Sequence, residues 1–388
     1  MDEILFRHNS FRPGQKELVF DIWQALKEKK NVLACAATGI GKTDASISTA
    51  LSFAMQNDLN VFFLTPKISQ HRIAVDVVSG LVDKYSLSLQ GVDFVGRGNM
   101  CNEEVSLCDS SRRKKCPCFE KFSKHLDEGK IAHHNSIVHF SSFFEDCKKK
   151  NFCAYEFSLN RSKHSRFVVA DFFHLFLPSV RNVFLGKIGK TLEKSIVIVD
   201  EAHNLNQRVL DSFSSKLSLP LIDRAQKEAL AVKSSDCFSM LEDLKRQLKE
   251  MSFERLRDFR ECFVEKDIIE CKNWIFFDAV AMNYLEKENV KSCALSSIFN
   301  FFLNWYSVSN EYARILSLSD GLKVNCLESF DVPNVVNSAY ATIAMSGTLL
   351  PLKMHAQILG FDLKKTFMRE YSSPFPVENL SCTISLIF

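Results

Sequence analysis

Several features that would identify a membrane or secreted protein are missing from this sequence. No segment reaches 18 uncharged apolar residues, and the N-terminal residues MDEILFRHNS lack the basic, apolar and small-residue order of a signal peptide. Internal repeats and low-complexity linkers are also absent. These absences predict a cytoplasmic protein, or a nuclear one if the source is a eukaryote, without a membrane partner.

A large excess of charge of one sign is missing too, because 49 Lys and Arg face 46 Asp and Glu, for a net charge of +3. The positive excess is local, since residues 96 to 165 hold 13 Lys and Arg against 9 Asp and Glu. The same stretch is rich in cysteine. Thirteen cysteines, an odd number, in a chain without a secretion signal argue against a disulfide framework.

Apolar runs of strand character alternate with helical patterns over much of the chain. The runs are residues 31 to 37, 61 to 66, 167 to 176, 195 to 200 and 341 to 348. This alternation predicts a parallel sheet with crossover helices, and 388 residues are enough for two or three domains. Residues 205 to 318 instead predict an almost wholly helical segment, with hardly any glycine or proline.

The segment AATGIGKT follows a predicted strand and opens a predicted helix, which is the context that gives a P-loop pattern its weight. The expected nucleotide-binding residues are Thr38, Gly39, Ile40, Gly41, Lys42 and Thr43. The glycine-rich amides are expected to wrap the phosphates, Lys42 to supply charge to them, and Thr43 to offer its hydroxyl to Mg²⁺. The first position of the pattern is Ala36, where the usual residue is glycine.

The segment VDEAH, residues 199 to 203, ends a hydrophobic strand with two adjacent carboxylates. At the end of a strand neighbouring the P-loop strand, Asp200 is expected to hold Mg²⁺ through water and Glu201 to orient or deprotonate the attacking water. An acidic helix start after a strand is the simpler interpretation. The joint presence of a P-loop and this acidic pair favours an ATP site. The predicted catalytic residues are Lys42, Thr43, Asp200, Glu201 and His203.

With AxTGxGKT, DEAH and an SGT that follows a strand, the chain resembles the superfamily 2 helicases. This resemblance implies that RPGQ, residues 12 to 15, is an adenine-recognition segment in which Gln15 contacts the base. It also implies that His203 couples the nucleotide site to Ser346 and Thr348 of the SGT motif.

Further motifs make nearly the whole chain similar to the XPD family, which includes the DinG-like helicases. They are GRGNMC at 96 to 101, CPCFEKF at 116 to 122, CAYEFSLNRSKHSRFVVADFFHLF at 153 to 176, MSGTLLP at 345 to 351 and SPFP at 373 to 376. The resemblance implies ATP, Mg²⁺ and a [4Fe-4S] cluster as cofactors. It also implies an α/β fold, in which a P-loop RecA-like parallel sheet domain carries an iron-sulfur insertion and a helical arch insertion.

The cluster ligands that the resemblance implies are Cys101, Cys108, Cys116 and Cys153. Zinc is the competing metal, but its structural sites usually show close CxxC pairs, and the gaps here are six, seven and thirty-six residues. Within the set, Cys118 is an alternative to Cys116, and Cys147 is an alternative to Cys153.

The resemblance also implies a domain organisation. Residues 1 to 95, 166 to 204 and 319 to 388 are expected to form the first motor domain. Residues 96 to 165 are expected to form the iron-sulfur domain, and residues 205 to 318 the helical arch.

An XPD-family protein is expected to couple ATP hydrolysis to 5′ to 3′ movement on single-stranded DNA and to unwind duplexes in DNA repair. The basic residues expected to contact the strand are Arg97, Arg112, Arg113, Lys114 and Lys115. A solvated charged loop is the simpler interpretation of these residues, and for Arg97 a salt bridge that fixes the loop.

The chain ends 37 residues after Pro351, which leaves no room for a second motor domain with its arginine fingers. A second polypeptide is therefore expected to supply that domain. One alternative function is a nucleotide-responsive, single-stranded DNA-binding module without motor activity. Another is a metal-binding interaction protein with a vestigial P-loop.

Overall fold

The structure, a computed structural model, describes residues 3–101, 116–130, 137–256, 260–288, 290, 292–308 and 311–375. These residues belong to two compact units. The described parts of residues 1–102, 114–206 and 330–388 form the first unit, and those of residues 207–329 form the second. None of the helices in these ranges is long and apolar enough to cross a membrane.

The secondary structure of the described part alternates between strands and helices in the first unit and is mainly helical in the second. The strands are β1 (Asn31–Ala36), β2 (Asn60–Thr65), β3 (Gly91–Asp93), β4 (Phe167–Asp171), β5 (Ser195–Val199), β6 (Ser215–Leu217), β7 (Glu261–Phe263), β8 (Tyr312–Ser317), β9 (Gly321–Cys326), β10 (Ala341–Ser346) and β11 (Thr366–Tyr371). The helices are α1 (Gln15–Lys27), α2 (Lys42–Gln56), α3 (His71–Tyr85), α4 (Pro117–Asp127), α5 (Phe140–Lys150), α6 (Ala154–His164), α7 (Phe173–Phe176), α8 (Pro178–Ile188), α9 (Leu205–Phe213), α10 (Leu219–Ala231), α11 (Ser235–Arg255), α12 (Phe276–Glu288), α13 (Ala294–Ser307), α14 (Asp331–Ser338) and α15 (Leu352–Ile358).

The first unit is built on a seven-stranded sheet in the order β11-β1-β10-β5-β2-β4-β3, with every pair of neighbours parallel. Every residue of β1, β5 and β10 is buried, as expected for parallel strands that are covered on both faces. Their side chains join those of α1, α2 and α3 in one hydrophobic core. The predicted α/β fold with a parallel sheet is confirmed.

Two strands of this sheet were not predicted. β3 has only three residues, which is too short for a hydrophobic pattern to be recognised. β11 lies at the edge of the sheet and carries Arg369 and Glu370 on exposed positions, so its sequence TFMREY is not a continuous apolar run. Neither strand therefore contains an apolar run long enough to predict it from the sequence.

The position of β10 corrects the expected arrangement of the motifs. The strand before VDEAH was expected beside the P-loop strand, but β10 lies between them, with Val32 of β1 opposite Ile343 and Ile196 of β5 opposite Ala341. Because the three strands are parallel, their carboxyl ends lie at one edge of the sheet. The P-loop follows β1, the SGT segment lies at the end of β10, and the VDEAH segment lies at the end of β5.

The cysteine-rich segment of the first unit contributes α4, α5 and α6. These helices share a small apolar cluster with the segment that follows β3. Its buried residues are Val95, Met100, Phe122, Cys147, Phe152 and Ala154. This part of the chain therefore has an apolar core of its own.

The second unit combines α10 to α13 with a four-stranded antiparallel sheet in the order β6-β9-β8-β7. The almost wholly helical segment predicted here missed this sheet. Two of its strands, β6 and β7, have only three residues each, and the six residues of β8 at the end of the segment were not recognised as a strand. The hairpin of β8 and β9 turns at Gly321, whose φ is 75° and where a Cβ would lie 2.3 Å from the carbonyl oxygen of Leu217. The expected domain boundary after residue 318 falls inside this hairpin, and the compact unit continues to Ser329.

Candidate active site

The P-loop connects β1 to α2. Gly39 and Gly41 have φ angles of 92° and 82°, a region that residues with a side chain rarely adopt. Lys42 is the first residue of α2, so the unpaired amides at the start of this helix border the loop. A helix N-terminus next to a glycine-rich turn provides hydrogen-bond donors and positive potential for phosphate groups.

Gln15 and Arg12, at the start of α1, hold the P-loop in this conformation. The Gln15 Nε2 donates to the Gly41 carbonyl oxygen at 3.0 Å, and the Gln15 Oε1 accepts from the Arg12 amide at 3.0 Å. The Arg12 guanidinium donates to the Gly39 carbonyl oxygen at 3.0 Å. Gln15 is only 1% exposed, and both of its polar atoms are bonded within the chain. Its contact with adenine stays a prediction.

Asp200 directly follows β5, and its amide donates to the Leu64 carbonyl oxygen at 2.9 Å. Burial, together with the neighbouring Glu201 carboxylate, raises the pKa of Asp200 to about 6, against the opposing effects of the Lys42 ammonium and the Glu201 amide. That amide donates to the Asp200 Oδ1 at 3.0 Å. The structure therefore brings the P-loop lysine and the predicted Mg²⁺ carboxylate within electrostatic reach of each other.

Ser346, the buried last residue of β10, joins the VDEAH segment to the SGT segment. Its hydroxyl donates to the Glu201 Oε2 at 3.2 Å and lies 2.6 Å from the His203 Nδ1. The Thr348 amide donates to the Ser346 Oγ at 3.3 Å. The Ser346 hydroxyl has one proton, so donation to Glu201 requires the Nδ1–H tautomer of His203 as donor to the Ser346 oxygen. The structure thus places Glu201, His203, Ser346 and Thr348 in one network.

Glu201 has a left-handed backbone, with φ of 50° and ψ of 45°. This conformation is uncommon for a residue with a side chain, and such residues concentrate at functional sites. The turn lies directly after Asp200, so the two adjacent carboxylates can serve different partners.

Three of the four predicted cluster ligands, Cys101, Cys116 and Cys153, are described, and all three are partly exposed. Across the described ranges, no three His, Cys, Asp or Glu side chains are placed so that they could hold a metal ion. The fourth predicted ligand, Cys108, lies outside the described residues, so the cluster stays a prediction, and no step of the chemistry is assigned to it.

The two alternative ligands are both buried. Burial raises the pKa of the Cys147 thiol to about 12, an effect that Lys150 opposes and Cys153 strengthens. Cys118 is also buried, and its carbonyl oxygen accepts a hydrogen bond from the Cys153 amide at 3.1 Å. Cys118, Cys147 and Cys153 are therefore neighbours at the junction of α4, α5 and α6.

The predicted DNA contacts are only partly described. Arg97 is described, and its guanidinium lies over the Tyr155 ring, 4.7 Å from the ring centroid, so it ties the loop after β3 to α6. The residues Cys108, Arg112, Arg113, Lys114 and Lys115 lie outside the described residues.

A buried carboxylate that no motif indicated lies at the end of β3. The Asp93 Oδ1 is 2.6 Å from the His71 Nδ1, and both side chains are fully buried. The second carboxylate oxygen accepts from the Phe140 amide at 2.8 Å. Asp93 thereby connects α3 of the sheet domain to the first residue of α5.

Two further residues beside the P-loop had no role predicted for them. Arg12 belongs to RPGQ, and Phe375 belongs to SPFP, so both motifs were noticed but only Gln15 received a role. A Cβ built on Gly39 would lie 2.5 Å from the Phe375 Cε2, which places this ring against the P-loop. The contact arises because β11 pairs with β1, a pairing that the sequence did not predict.

The P-loop, VDEAH and SGT motifs at one edge of a parallel sheet are similar to those of the superfamily 2 helicases, and comparisons with known proteins agree. The DEAD_2 family matches residues 91–221, and the family described as "Type III restriction enzyme, res subunit" matches residues 8–110. The chain is 22% identical over 310 residues to the "General transcription and DNA repair factor IIH helicase subunit XPD/RAD3" of Saccharomyces cerevisiae, an alignment that covers 69% of this chain and 39% of the relative.

The XPD subunit of the same factor from Arabidopsis thaliana is 20% identical over 258 residues, which cover 58% of this chain and 33% of that protein. The chain therefore spans about two fifths or less of the curated relatives it matches. Among solved structures, one named XPD_Helicase has a TM-score of 0.68 at 20% identity and covers 94% of this chain and 63% of its own. Another, named Truncated XPD, has a TM-score of 0.63 at 20% identity and covers 92% and 100%. The chain is therefore similar to superfamily 2 helicases of the XPD type, and it shares the fold of these XPD structures.

The raised pKa of Asp200 predicts a pH-dependent cost to stability. An aspartate at its ordinary pKa of 3.8 ionises before the folded Asp200 does at about 6, so the folded state becomes less stable as the pH rises through this window. Asp200→Asn keeps an oxygen acceptor for the Glu201 amide and removes the charge. We expect it to stabilise the protein at pH 8, by on the order of 2 kcal/mol, and to have little effect at pH 4.

Thermal unfolding without Mg²⁺ at the two pH values checks this expectation. Asp76→Asn, at an exposed aspartate of α3, is the matched control. A loss of stability for Asp200→Asn at pH 8 would show that the ionised carboxylate is a net stabilising group in the free protein.

Proposed function

We propose that this chain is the nucleotide-binding part of an ATP-driven motor of the XPD type, which acts on single-stranded DNA with 5′ to 3′ polarity in DNA repair. The observation that carries the proposal is the network of Glu201, His203 and Ser346. This network joins the VDEAH segment, which would act on the attacking water, to the end of β10, the strand between the P-loop strand and the VDEAH strand. A P-loop protein that only binds nucleotide does not need such a connection.

The proposed roles in phosphate binding are supported by the geometry of the P-loop and the start of α2. The amides around Gly39 and Gly41 and the start of α2 bind phosphate oxygens, and Lys42 adds a positive charge. Thr43 and Asp200 each carry a side-chain oxygen, the ligand atom that Mg²⁺ prefers, so they are the residues that would hold the ion. When bound, Mg²⁺ would neutralise charge on the phosphates.

Glu201 is the residue proposed to orient the attacking water. Its carboxylate accepts from Ser346, and the His203 Nδ1 lies 3.3 Å from the Glu201 Oε2. A movement of His203 or Ser346 would therefore change the position of the carboxylate. DNA contacts that shift either residue would then change the hydrolysis rate.

The DNA side of the proposal includes the cysteine-rich segment. Arg97 and the basic residues Arg112, Arg113, Lys114 and Lys115 are the proposed phosphate contacts. The [4Fe-4S] cluster, with Cys101, Cys108, Cys116 and Cys153 as ligands, is supported by the cysteine pattern and the XPD resemblance. A second polypeptide that supplies a second motor domain is likewise a proposal.

Lys42→Ala tests the nucleotide site. We expect ATP hydrolysis to fall about a hundredfold or more, because the variant removes a charge from the transferring phosphoryl group. The thermal midpoint should stay nearly unchanged, because no core volume is lost. Turnover is measured with and without single-stranded DNA, and Lys249→Ala, at an exposed lysine of α11, is the control.

Retained DNA-stimulated turnover in Lys42→Ala would remove this site from the mechanism. ATP and DNA binding without any hydrolysis, even after a second motor domain is supplied to the unaltered chain, would instead favour the nucleotide-responsive binding module. A chain that binds no ATP at all would favour the metal-binding interaction protein.

Metal analysis tests the cluster. Purified without oxygen, the chain is expected to be brown and to carry about four irons, as a four-thiolate [4Fe-4S] site requires. Cys101→Ser should lose iron and weaken binding of single-stranded DNA, whereas Cys237→Ser, at a buried cysteine of α11, should keep both. Stoichiometric zinc in a colourless protein would overturn the cluster proposal.

A further inference from the structure

A buried negative charge lies in the first turn of α2, directly after the P-loop. The helix begins at Lys42, and Asp44, its third residue, is buried. A carboxylate at this position interacts favourably with the helix dipole. It also opposes the binding of phosphates at the same helix N-terminus, because like charges repel. Neutralisation of Asp44 therefore favours nucleotide binding.

Arg7 pairs with this carboxylate through both of its oxygens. The Arg7 Nε donates to the Asp44 Oδ1, and the Arg7 Nη2 donates to the Oδ2 at 3.1 Å. Two such bonds fix the orientation of both planar groups. The Arg7 side chain is 26% exposed and that of Asp44 10%, so solvent screens the pair only in part. His8 also faces the carboxylate, with its Nε2 at 3.4 Å from the Oδ1.

The position of Arg7 is fixed by contacts with α3. The Lys84 Nζ donates to the carbonyl oxygens of Phe6 at 3.0 Å and of Arg7 at 3.3 Å. The Tyr85 hydroxyl donates to the same Phe6 oxygen at 2.9 Å. A Cβ at Gly80 would lie 3.3 Å from the Arg7 Cδ, so the missing side chain at this glycine leaves room for Arg7. The guanidinium is therefore held against Asp44 by its backbone and by its neighbours on α3.

We propose that Arg7 is a positioning residue of the nucleotide site, which acts by neutralising Asp44. With the pair formed, the positive end of α2 and Lys42 act on the phosphates without an opposing charge in the same turn. With the pair broken, the affinity falls, and it falls more for a nucleotide with more phosphate charge. This inference rests on the proposed function, since it concerns the same ATP site.

A charge-reversal cycle tests the proposal. Calorimetric titrations at one pH give the dissociation constants of ATP and ADP, each with Mg²⁺. Arg7→Gln should weaken ATP about fivefold and ADP only about twofold, because ADP carries less charge. Asp44→Asn should tighten ATP by about as much as Arg7→Gln weakens it, because Arg7 is then unopposed. The double variant should bind both nucleotides within about twofold of the unaltered chain, since the net charge of the pair is zero again.

Asp58→Asn is the matched control. Asp58 also pairs with an arginine, since the Arg166 Nη2 lies 3.1 Å from its Oδ1. It lies just before β2, at the amino-terminal edge of the sheet, whereas the P-loop follows the carboxyl end of β1. This control should change neither affinity. The thermal midpoint of each variant establishes that it is folded.

A structural role for the pair predicts a different pattern. If the pair only ties Arg7 to α2, the double variant binds ATP as weakly as Arg7→Gln, and ATP and ADP are weakened alike. Either result, or no change with Arg7→Gln, would overturn the inference while the loss of ATP hydrolysis in Lys42→Ala keeps the proposed function. If the unaltered chain binds neither nucleotide, the proposed function fails and this inference fails with it.

Discussion

The short contact between the His203 Nδ1 and the Ser346 hydroxyl depends on the position of one strand. β10 lies between β1 and β5, so its last residue is placed between the P-loop and the VDEAH turn. A hydroxyl at this point can donate to Glu201 and accept from His203 at once. If β10 lay at the edge of the sheet, the VDEAH turn and the P-loop would have no strand end between them.

The P-loop is supported from a second direction by α1 and β11. Gln15 and Arg12 bond to its carbonyl groups, and Asp21 of the same helix binds the end of β11, from which Phe375 reaches Gly39. A loop with two glycines at positive φ has little conformational preference of its own. Its geometry is therefore fixed by these neighbours, and changes in α1 would affect nucleotide binding without touching a phosphate contact.

The sequence was most informative where function requires fixed spacing. AATGIGKT and VDEAH follow buried apolar strands, so the α/β fold was predictable, whereas phosphate binding by AATGIGKT stays a prediction. The order of the strands was not, because nothing local in β10 states that it separates β1 from β5. The Phe375 contact and the antiparallel sheet of the second unit were missed for a related reason. The edge strand β11 and the three-residue strands β6 and β7 all pair with strands that are distant in sequence.

In the proposed function, His203 and Ser346 couple the nucleotide site to DNA binding. The most direct test is the affinity for a non-hydrolysable ATP analogue with and without single-stranded DNA, in the unaltered chain, His203→Ala, Ser346→Ala and the double variant. We expect DNA to change the affinity several-fold in the unaltered chain and either single substitution to remove this effect. The double variant should lose no more of the DNA effect than either single variant does. A DNA effect that persists in both single variants would contradict it.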